Sequence, residues 1–189
     1  MRTIAVAMTA GLLMLAGCSG NDNGNSAATN NSAATTVPSD NLVQALDGAD
    51  NLDSFSDLVK KAGLDKALSG NASYTIFAPT DQAIDALPKD ERDTLNSDAG
   101  RPKLIALLRQ HIATGYVEMG DLQKGLSSDK GKVTLATMSG NAITLDKSGN
   151  AIAIGSGSDA PQIAGDPIRA SNGVIYPISK VIPPQADAN

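Results

Sequence analysis

The hydrophobic period of the chain changes partway along its length, and this change limits the folds that are open to it. From Asn41 to Leu68, and again from Pro102 to Ile112, apolar residues recur every three to four positions, as in amphipathic helices. From Lys132 onward they alternate with polar or small residues, as in strands that bury one face. Helices followed by largely antiparallel strands predict an α+β domain with a β-sandwich or barrel-like core.

Shorter signals predict individual elements. Ser73–Phe77 indicates a buried strand closed by Ala78-Pro79, and Thr80 is expected to cap the helix that follows. Gly63 is expected to end a helix. Four further elements are expected: a turn or short helix at Asp90–Leu95, a hairpin turn at Asp146–Asn150, and strands at Val174–Tyr176 and Val181–Ile182.

Residues 1–17 have the pattern of an export signal. Arg2 is the only charged residue before Asp22, and the run from Ile4 to Leu15 is predominantly apolar. This run is shorter than the ~20 residues that span a bilayer, which favours a cleaved signal over a permanent membrane helix. Residues 18–40 are rich in Asn, Ser, Ala and Thr, a composition that predicts a disordered tether.

The segment Leu15-Ala16-Gly17-Cys18 resembles the lipobox of bacterial lipoproteins. In that family the signal is cut before the Cys, whose thiol and new amino group are acylated. The resemblance implies that Cys18 is the lipid attachment site and that the chain is anchored in the cell envelope. Ser19 implies the outer membrane, on its periplasmic or surface face, if the host has two membranes. The alternative is an ordinary signal peptide with Cys18 near its cleavage site by chance.

Three later segments, Thr75–Ile84, Leu107–Ile112 and Asn172–Pro184, resemble the sequence blocks of the fasciclin-like (FAS1) domain family. Gln110 stands where that family usually has Tyr before His, and Tyr176 where it commonly has His. The resemblance implies a FAS1-like α+β fold. Its core is a mostly antiparallel β-sandwich or wedge with N-terminal and intervening helices.

The resemblance covers about residues 41–184 and leaves 185–189 as a short C-terminal tail. Five residues of the outer blocks are expected to have structural roles: Thr75, Phe77, Pro79, Thr80 and Gly173. Phe77 supplies strand burial and Pro79 ends the strand. The pair Asn172-Gly173 is expected to form a tight turn in which positive φ is accessible.

Several function classes are disfavoured by composition. The formal charge of −5 and the five aromatic residues argue against a nucleic-acid partner, which needs a concentrated basic face and stacking side chains. Cys18 is the only Cys, so no intramolecular disulfide is expected. His111 is the only His and lies on an apolar helix face, which predicts a packed, neutral ring. No G-x-S-x-G elbow is present, so no enzyme is expected, and no metal or other cofactor.

The leading hypothesis is a lipid-anchored interaction module for cell adhesion, or for binding a matrix or envelope protein or a polysaccharide. In animal members of the family the Tyr-His region is linked to adhesion, and His111 is the residue that matches it here. The contact candidates are His111, Asn172 and Tyr176. The alternative is a carrier of a small hydrophobic ligand or haem. His111 and Tyr176 would be the axial ligands, assisted by Met119 or Met138. A weak hydrolase is the third hypothesis.

Overall fold

Seven helices and seven strands form the part of the chain that this computed structural model describes, residues 38–128 and 131–183. The helices are α1 Leu42–Asp47, α2 Asp53–Ala62, α3 Asp65–Leu68, α4 Asp81–Asp85, α5 Lys89–Leu95, α6 Arg101–His111 and α7 Met119–Leu126. The strands are β1 Tyr74–Pro79, β2 Ile112–Thr114, β3 Lys132–Ala136, β4 Ala142–Ser148, β5 Ala151–Ile154, β6 Ile168–Ala170 and β7 Gly173–Ile178.

The strands form two sheets. The first has the order β2-β1-β7-β6 and the second the order β3-β4-β5. The central pair of the first sheet, β1 and β7, is parallel, while the other four pairs are antiparallel. Isolated bridges from Ala113 to Thr137 and from Ile163 to Ile178 link the four-stranded sheet to neighbouring segments. The predicted α+β fold is confirmed, and the strands that the structure describes form two open sheets rather than a closed barrel.

Two apolar cores lie on opposite faces of the four-stranded sheet, because successive side chains of a strand point to opposite sides. Ile76 of β1 and Ile175 of β7 belong to the core that contains the buried faces of α1, α2 and α6. Phe77 and Tyr176 belong to the other core, which contains Ile143 and other residues of the second sheet. Residues 38–128 and 131–183 are therefore layered as the helices α1 to α6, the four-stranded sheet and the three-stranded sheet, with α7 contributing to the core between the sheets.

Several local signals act as predicted. Thr80 caps α4, since its hydroxyl accepts from the N–H of Ala83 at 3.3 Å. Gly63 ends α2 in the left-handed conformation with a φ of 76°. The region from Asn41 to Leu68, predicted to be helical, contains three helices. Asn41 caps the first of them in a capping box with Gln44, and short breaks separate it from the next two.

Other predictions are wrong in detail. No strand forms at Val181–Ile182. Pro79 ends β1 as expected, but the strand begins at Tyr74 and includes Ala78 and Pro79 themselves. The β4–β5 turn is Gly149-Asn150, shorter than expected, because both strands extend towards it. Gly173 has no positive φ and begins β7, so the turn before it is Ser171-Asn172.

Three elements were not predicted from the sequence: β2, α7 and β6. Both strands have three residues, too few to show alternation, and α7 contains two glycines. The signal peptide, Cys18, residues 19–37 of the tether, residue 184 and the tail at 185–189 lie outside the described residues. Within the described residues, no helix has the length and apolar character required to cross a membrane.

Candidate functional site

His111 lies at the end of α6 with its ring fully buried, 6.1 Å from the Phe55 ring between centroids. Nδ1 donates to the carbonyl of Leu107 at 2.8 Å, and Nε2 accepts from the N–H of Ile182 at 2.9 Å. A carbonyl only accepts and an amide N–H only donates, so these partners require the neutral tautomer protonated on Nδ1. Burial lowers the pKa of His111 to about 4. The His111 ring therefore connects the segment that contains Ile182 to α6 by hydrogen bonds.

Asn172 connects three segments of the domain from the β6–β7 turn. Its Oδ1 accepts from the N–H of Leu42 at 2.8 Å, at the beginning of α1. Its Nδ2 donates to the carbonyls of Leu68 at 2.7 Å and Gly70 at 2.8 Å. The amide group of this side chain is thus used inside the domain.

Tyr176 and Phe77 pack against each other in the core between the two sheets. They are paired in register on the parallel strands β7 and β1, and their rings stack at 5.7 Å between centroids with an interplanar angle of 21°. Both side chains are fully buried, and burial raises the pKa of the Tyr176 phenol. This packing fixes the direction of the Tyr176 hydroxyl.

The loop Gly115–Val117 is held by residues of both outer sequence blocks. Thr75, which is fully buried, donates its hydroxyl to the carbonyl of Gly115 at 2.8 Å and accepts from the N–H of Val117 at 3.1 Å. Tyr176 donates its hydroxyl to the carbonyl of Val117 at 2.8 Å. Three hydrogen bonds from two central strands therefore fix the backbone of this loop.

Tyr116, at the centre of that loop, points outward. It is the only large hydrophobic side chain classed as exposed in the part of the chain that the structure describes, at 40% of its surface. Its hydroxyl donates to the Glu118 carboxylate at 3.2 Å, and the Arg169 guanidinium on β6 lies 3.7 Å from the same oxygen. Partial burial and the Glu118 carboxylate raise the pKa of Tyr116. We call Tyr116, Glu118 and Arg169 the Tyr116 patch.

The three contact candidates from the sequence do not form one site. His111 lies beside Phe55 on the helix side of the four-stranded sheet, Tyr176 lies in the core between the sheets, and Asn172 lies in the β6–β7 turn. The side chains of His111 and Tyr176 are fully buried and bonded to backbone groups. They therefore offer no contact to a partner of the folded protein.

The residues that the haem hypothesis requires as ligands do not lie together either. Both nitrogens of His111 and the hydroxyl of Tyr176 already have hydrogen-bond partners. Met138 packs against the core that faces the helices, whereas Met119 packs against the core between the sheets. Within residues 38–128 and 131–183, no group of three or more His, Cys, Asp or Glu side chains is arranged to hold a metal ion.

The Tyr116 patch was missed by sequence reasoning. Glu118 and Arg169 are 51 positions apart in the sequence. They come together because the loop after β2 extends to β1 and β7, where Thr75 and Tyr176 bind Val117, and β6 is the strand next to β7. Tyr116 itself carried a weak signal. It is one of five aromatic residues in the chain and follows a glycine, Gly115, which has a φ of 97°.

Comparison with known protein families identifies the family to which this chain belongs. Residues 50–184 match the family described as the Fasciclin domain. The chain belongs to the fasciclin domain family. The matched range contains both outer sequence blocks, and therefore Thr75, Phe77 and Tyr176, which support the Gly115–Val117 loop.

Curated relatives come from bacteria and animals. Protein sll1483 of Synechocystis sp. is 30% identical over 153 residues, which cover 81% of this chain and 78% of that protein. Transforming growth factor-beta-induced protein ig-h3 of Oryctolagus cuniculus is 28% identical over 153 residues, and Stabilin-1 of Mus musculus is 32% identical over 136 residues. These matches cover 80% and 69% of this chain but only 20% and 5% of the two animal proteins.

A solved structure shares the fold. It is a FAS1 domain pair from the insect cell adhesion molecule fasciclin I, with a TM-score of 0.59 at 19% identity. The likeness covers 77% of this chain and 51% of that chain. It confirms the FAS1-like fold that the sequence blocks implied.

Proposed function

We propose that this fasciclin domain is a lipid-anchored interaction module of the cell envelope, which binds a partner through the Tyr116 patch. The supporting observation is the Tyr116 side chain, displayed on a loop whose backbone is fixed by Thr75 and Tyr176. A rigid, exposed aromatic ring loses little conformational entropy when it is covered. The solved relative, fasciclin I, is described as a cell adhesion molecule, which agrees with a contact function.

The chemistry of the patch favours a protein partner over a polysaccharide. Tyr and Arg are enriched among the residues that dominate the energy of protein–protein interfaces. Arg169 and Glu118 lie side by side and offset each other's charge, so the ring is flanked by a donor and an acceptor rather than by a net charge. Such a surface suits a partner with an apolar pocket rimmed by polar groups.

Replacing Tyr116 with Ala is expected to weaken binding to isolated envelope by roughly tenfold to a hundredfold, which is typical of a hot-spot residue. The measurement is saturation binding of the labelled protein to washed envelope fractions. Arg169→Ala is expected to weaken binding as well. Arg109→Ala is the matched control, because it removes another exposed Arg, on α6, without changing the patch.

Unchanged affinity of Tyr116→Ala, with native stability preserved, would remove the patch from the proposal. Pretreatment of the envelope separates the two partner classes. Protease treatment is expected to abolish saturable binding, whereas loss of binding only after glycan digestion would assign a polysaccharide partner instead. Absence of saturable binding to either preparation would contradict the interaction function itself.

The anchor has its own test at Cys18, which lies outside the described residues. Cys18→Ser is expected to abolish incorporation of labelled fatty acid and to leave the precursor uncut, because the serine hydroxyl is not a substrate for thiol diacylation. The measurements are acyl labelling and the mass of the protein recovered from cells. A Cys18→Ser protein that is processed normally would show a conventional signal peptide.

A further inference from the structure

Asn172-Gly173 carries a chemical reactivity that the proposed contact function does not use. In an unconstrained chain, the backbone nitrogen of the Gly attacks the side-chain carbonyl carbon of the preceding Asn. The new C–N bond closes a succinimide ring, ammonia leaves, and water reopens the ring to aspartate or isoaspartate. Glycine promotes the attack because it has no Cβ to shield the nitrogen or restrict the backbone. Water is the only co-reactant.

The fold holds the reacting groups of this pair in place. Both ends of the Asn172 amide are hydrogen bonded: Oδ1 to the N–H of Leu42, and Nδ2 to the carbonyls of Leu68 and Gly70. The backbone carbonyl of Asn172 accepts from the N–H of Tyr74 at 3.2 Å. Rotation of the amide over the Gly173 nitrogen requires these side-chain bonds to break, so the native hairpin opposes the reaction.

Packing also explains why this reactive pair is present. A Cβ on Gly173 would lie 2.2 Å from the carbonyl oxygen of Tyr74 and 2.7 Å from Cδ1 of Leu42. Gly173 is paired in register with Tyr74 on β1, so the backbone of that central strand and the Leu42 side chain of α1 together leave no space for a Cβ. Asn172 is required for a separate reason, because its side chain accepts a hydrogen bond from Leu42 and donates to Leu68 and Gly70.

The product of the reaction does not fit the native site. An aspartate formed from Asn172 would place an oxygen opposite the carbonyls of Leu68 and Gly70, where Nδ2 now donates at 2.7 and 2.8 Å. Those carbonyls would lose their donor and face an acceptor, which is unfavourable in a part-buried site. Isoaspartate would also add a backbone methylene to the two-residue turn and disturb the β6–β7 register.

We propose that Asn172 is a latent modification site, protected while the β6–β7 hairpin is closed and deamidated when the hairpin opens. Deamidation then blocks return to the native state and makes unfolding irreversible. The stability of this domain over long times is therefore set by the fraction of molecules in which the hairpin is open, because closing is much faster than deamidation. The proposal is independent of the Tyr116 patch.

The test follows deamidation of the full chain by peptide mass spectrometry at mildly alkaline pH, in buffer and in concentrated urea. Asn23-Gly24, the other Asn-Gly pair of the chain, provides the reference rate in urea. In urea, Asn172 is expected to react about as fast as Asn23. In buffer, Asn172 is expected to react at least about tenfold more slowly than in urea, because opening is rare. Equal rates for Asn172 in buffer and in urea would overturn the proposal.

A refolding experiment provides the second test of the proposal. Chains deamidated at Asn172 in urea are expected to fail to regain the native circular dichroism on dilution, while unmodified chains from the same sample regain it. Asn172→Asp encodes one product directly and is expected to lower stability more than Asn23→Asp, which makes the same chemical change at the other pair. Full recovery of the deamidated chains at native stability would contradict the proposed irreversibility, even if the native rate were low.

Discussion

Replacing His111 with Leu is expected to lower the free energy of unfolding by about 4 kcal/mol at neutral pH, because two buried backbone groups lose their partners at ~1–3 kcal/mol each and leucine restores neither. The groups are the carbonyl of Leu107 and the N–H of Ile182. Leucine keeps the packing against Phe55 apolar, so the loss reports mainly the hydrogen bonds. Urea denaturation followed by circular dichroism measures it.

Arg109→Leu is the matched control for this substitution. Arg109 lies on the same helix but is exposed, so its replacement is expected to change stability by no more than about 0.5 kcal/mol. A His111→Leu protein as stable as the control would show that the ring does not hold the C-terminal segment.

The pH dependence of the free energy of unfolding provides an independent test of the role of the His111 ring. Burial lowers the pKa of folded His111 from 6.5 to about 4, so the unfolded chain binds the proton more tightly. The neutral ring's contribution to stability is fully present above about pH 6.5 and is lost as the pH falls towards 4. About 2 kcal/mol should disappear between about pH 8 and about pH 5 in the wild type but not in His111→Leu. Denaturation at each pH measures the difference, and equal slopes in both proteins would contradict it.

Gly173→Ala is expected to lower the free energy of unfolding by about 3 kcal/mol or more, at the upper end of the range for overpacked cores. The added Cβ would lie 2.2 Å from the carbonyl oxygen of Tyr74, an atom of the central strand β1 that cannot rotate away as a side chain can. The central strands must separate locally, and Leu42 on α1 must shift as well, because the Cβ would also lie 2.7 Å from its Cδ1. Thermal unfolding and the recovery of folded protein are the measurements.

Gly120→Ala is the control for this prediction. Gly120 lies in the helix α7, and a Cβ there would meet nothing within 4 Å. Alanine is favoured over glycine in helices, so this variant is expected to gain up to about 1 kcal/mol. If Gly173→Ala were as stable as the wild type, Gly173 would not be required by packing. Close packing would then no longer explain why a glycine follows Asn172.

Local patterns were sufficient for most elements but not for their exact limits. The helix α6 was predicted because its apolar residues recur over three turns, and the Thr80 cap because capping depends on residues within one turn. Val181–Ile182 has the apolar, β-branched composition of a strand. There, however, the N–H of Ile182 donates to His111 instead of to a strand. That choice depends on a residue 71 positions away, which no local pattern contains.

The sequence by itself determined the family, the α+β class and the positions of the central strands, because these depend on periodicity and on blocks of adjacent residues. It did not show that Tyr176 supports the Gly115–Val117 loop from inside the core instead of contacting a partner, or that Tyr116 is the exposed ring. The tertiary structure decided this, since the hydroxyl of Tyr176 reaches the carbonyl of Val117 across 59 residues of sequence. Such contacts follow from sheet order and from the face on which each side chain lies, and these are set only when distant strands pair.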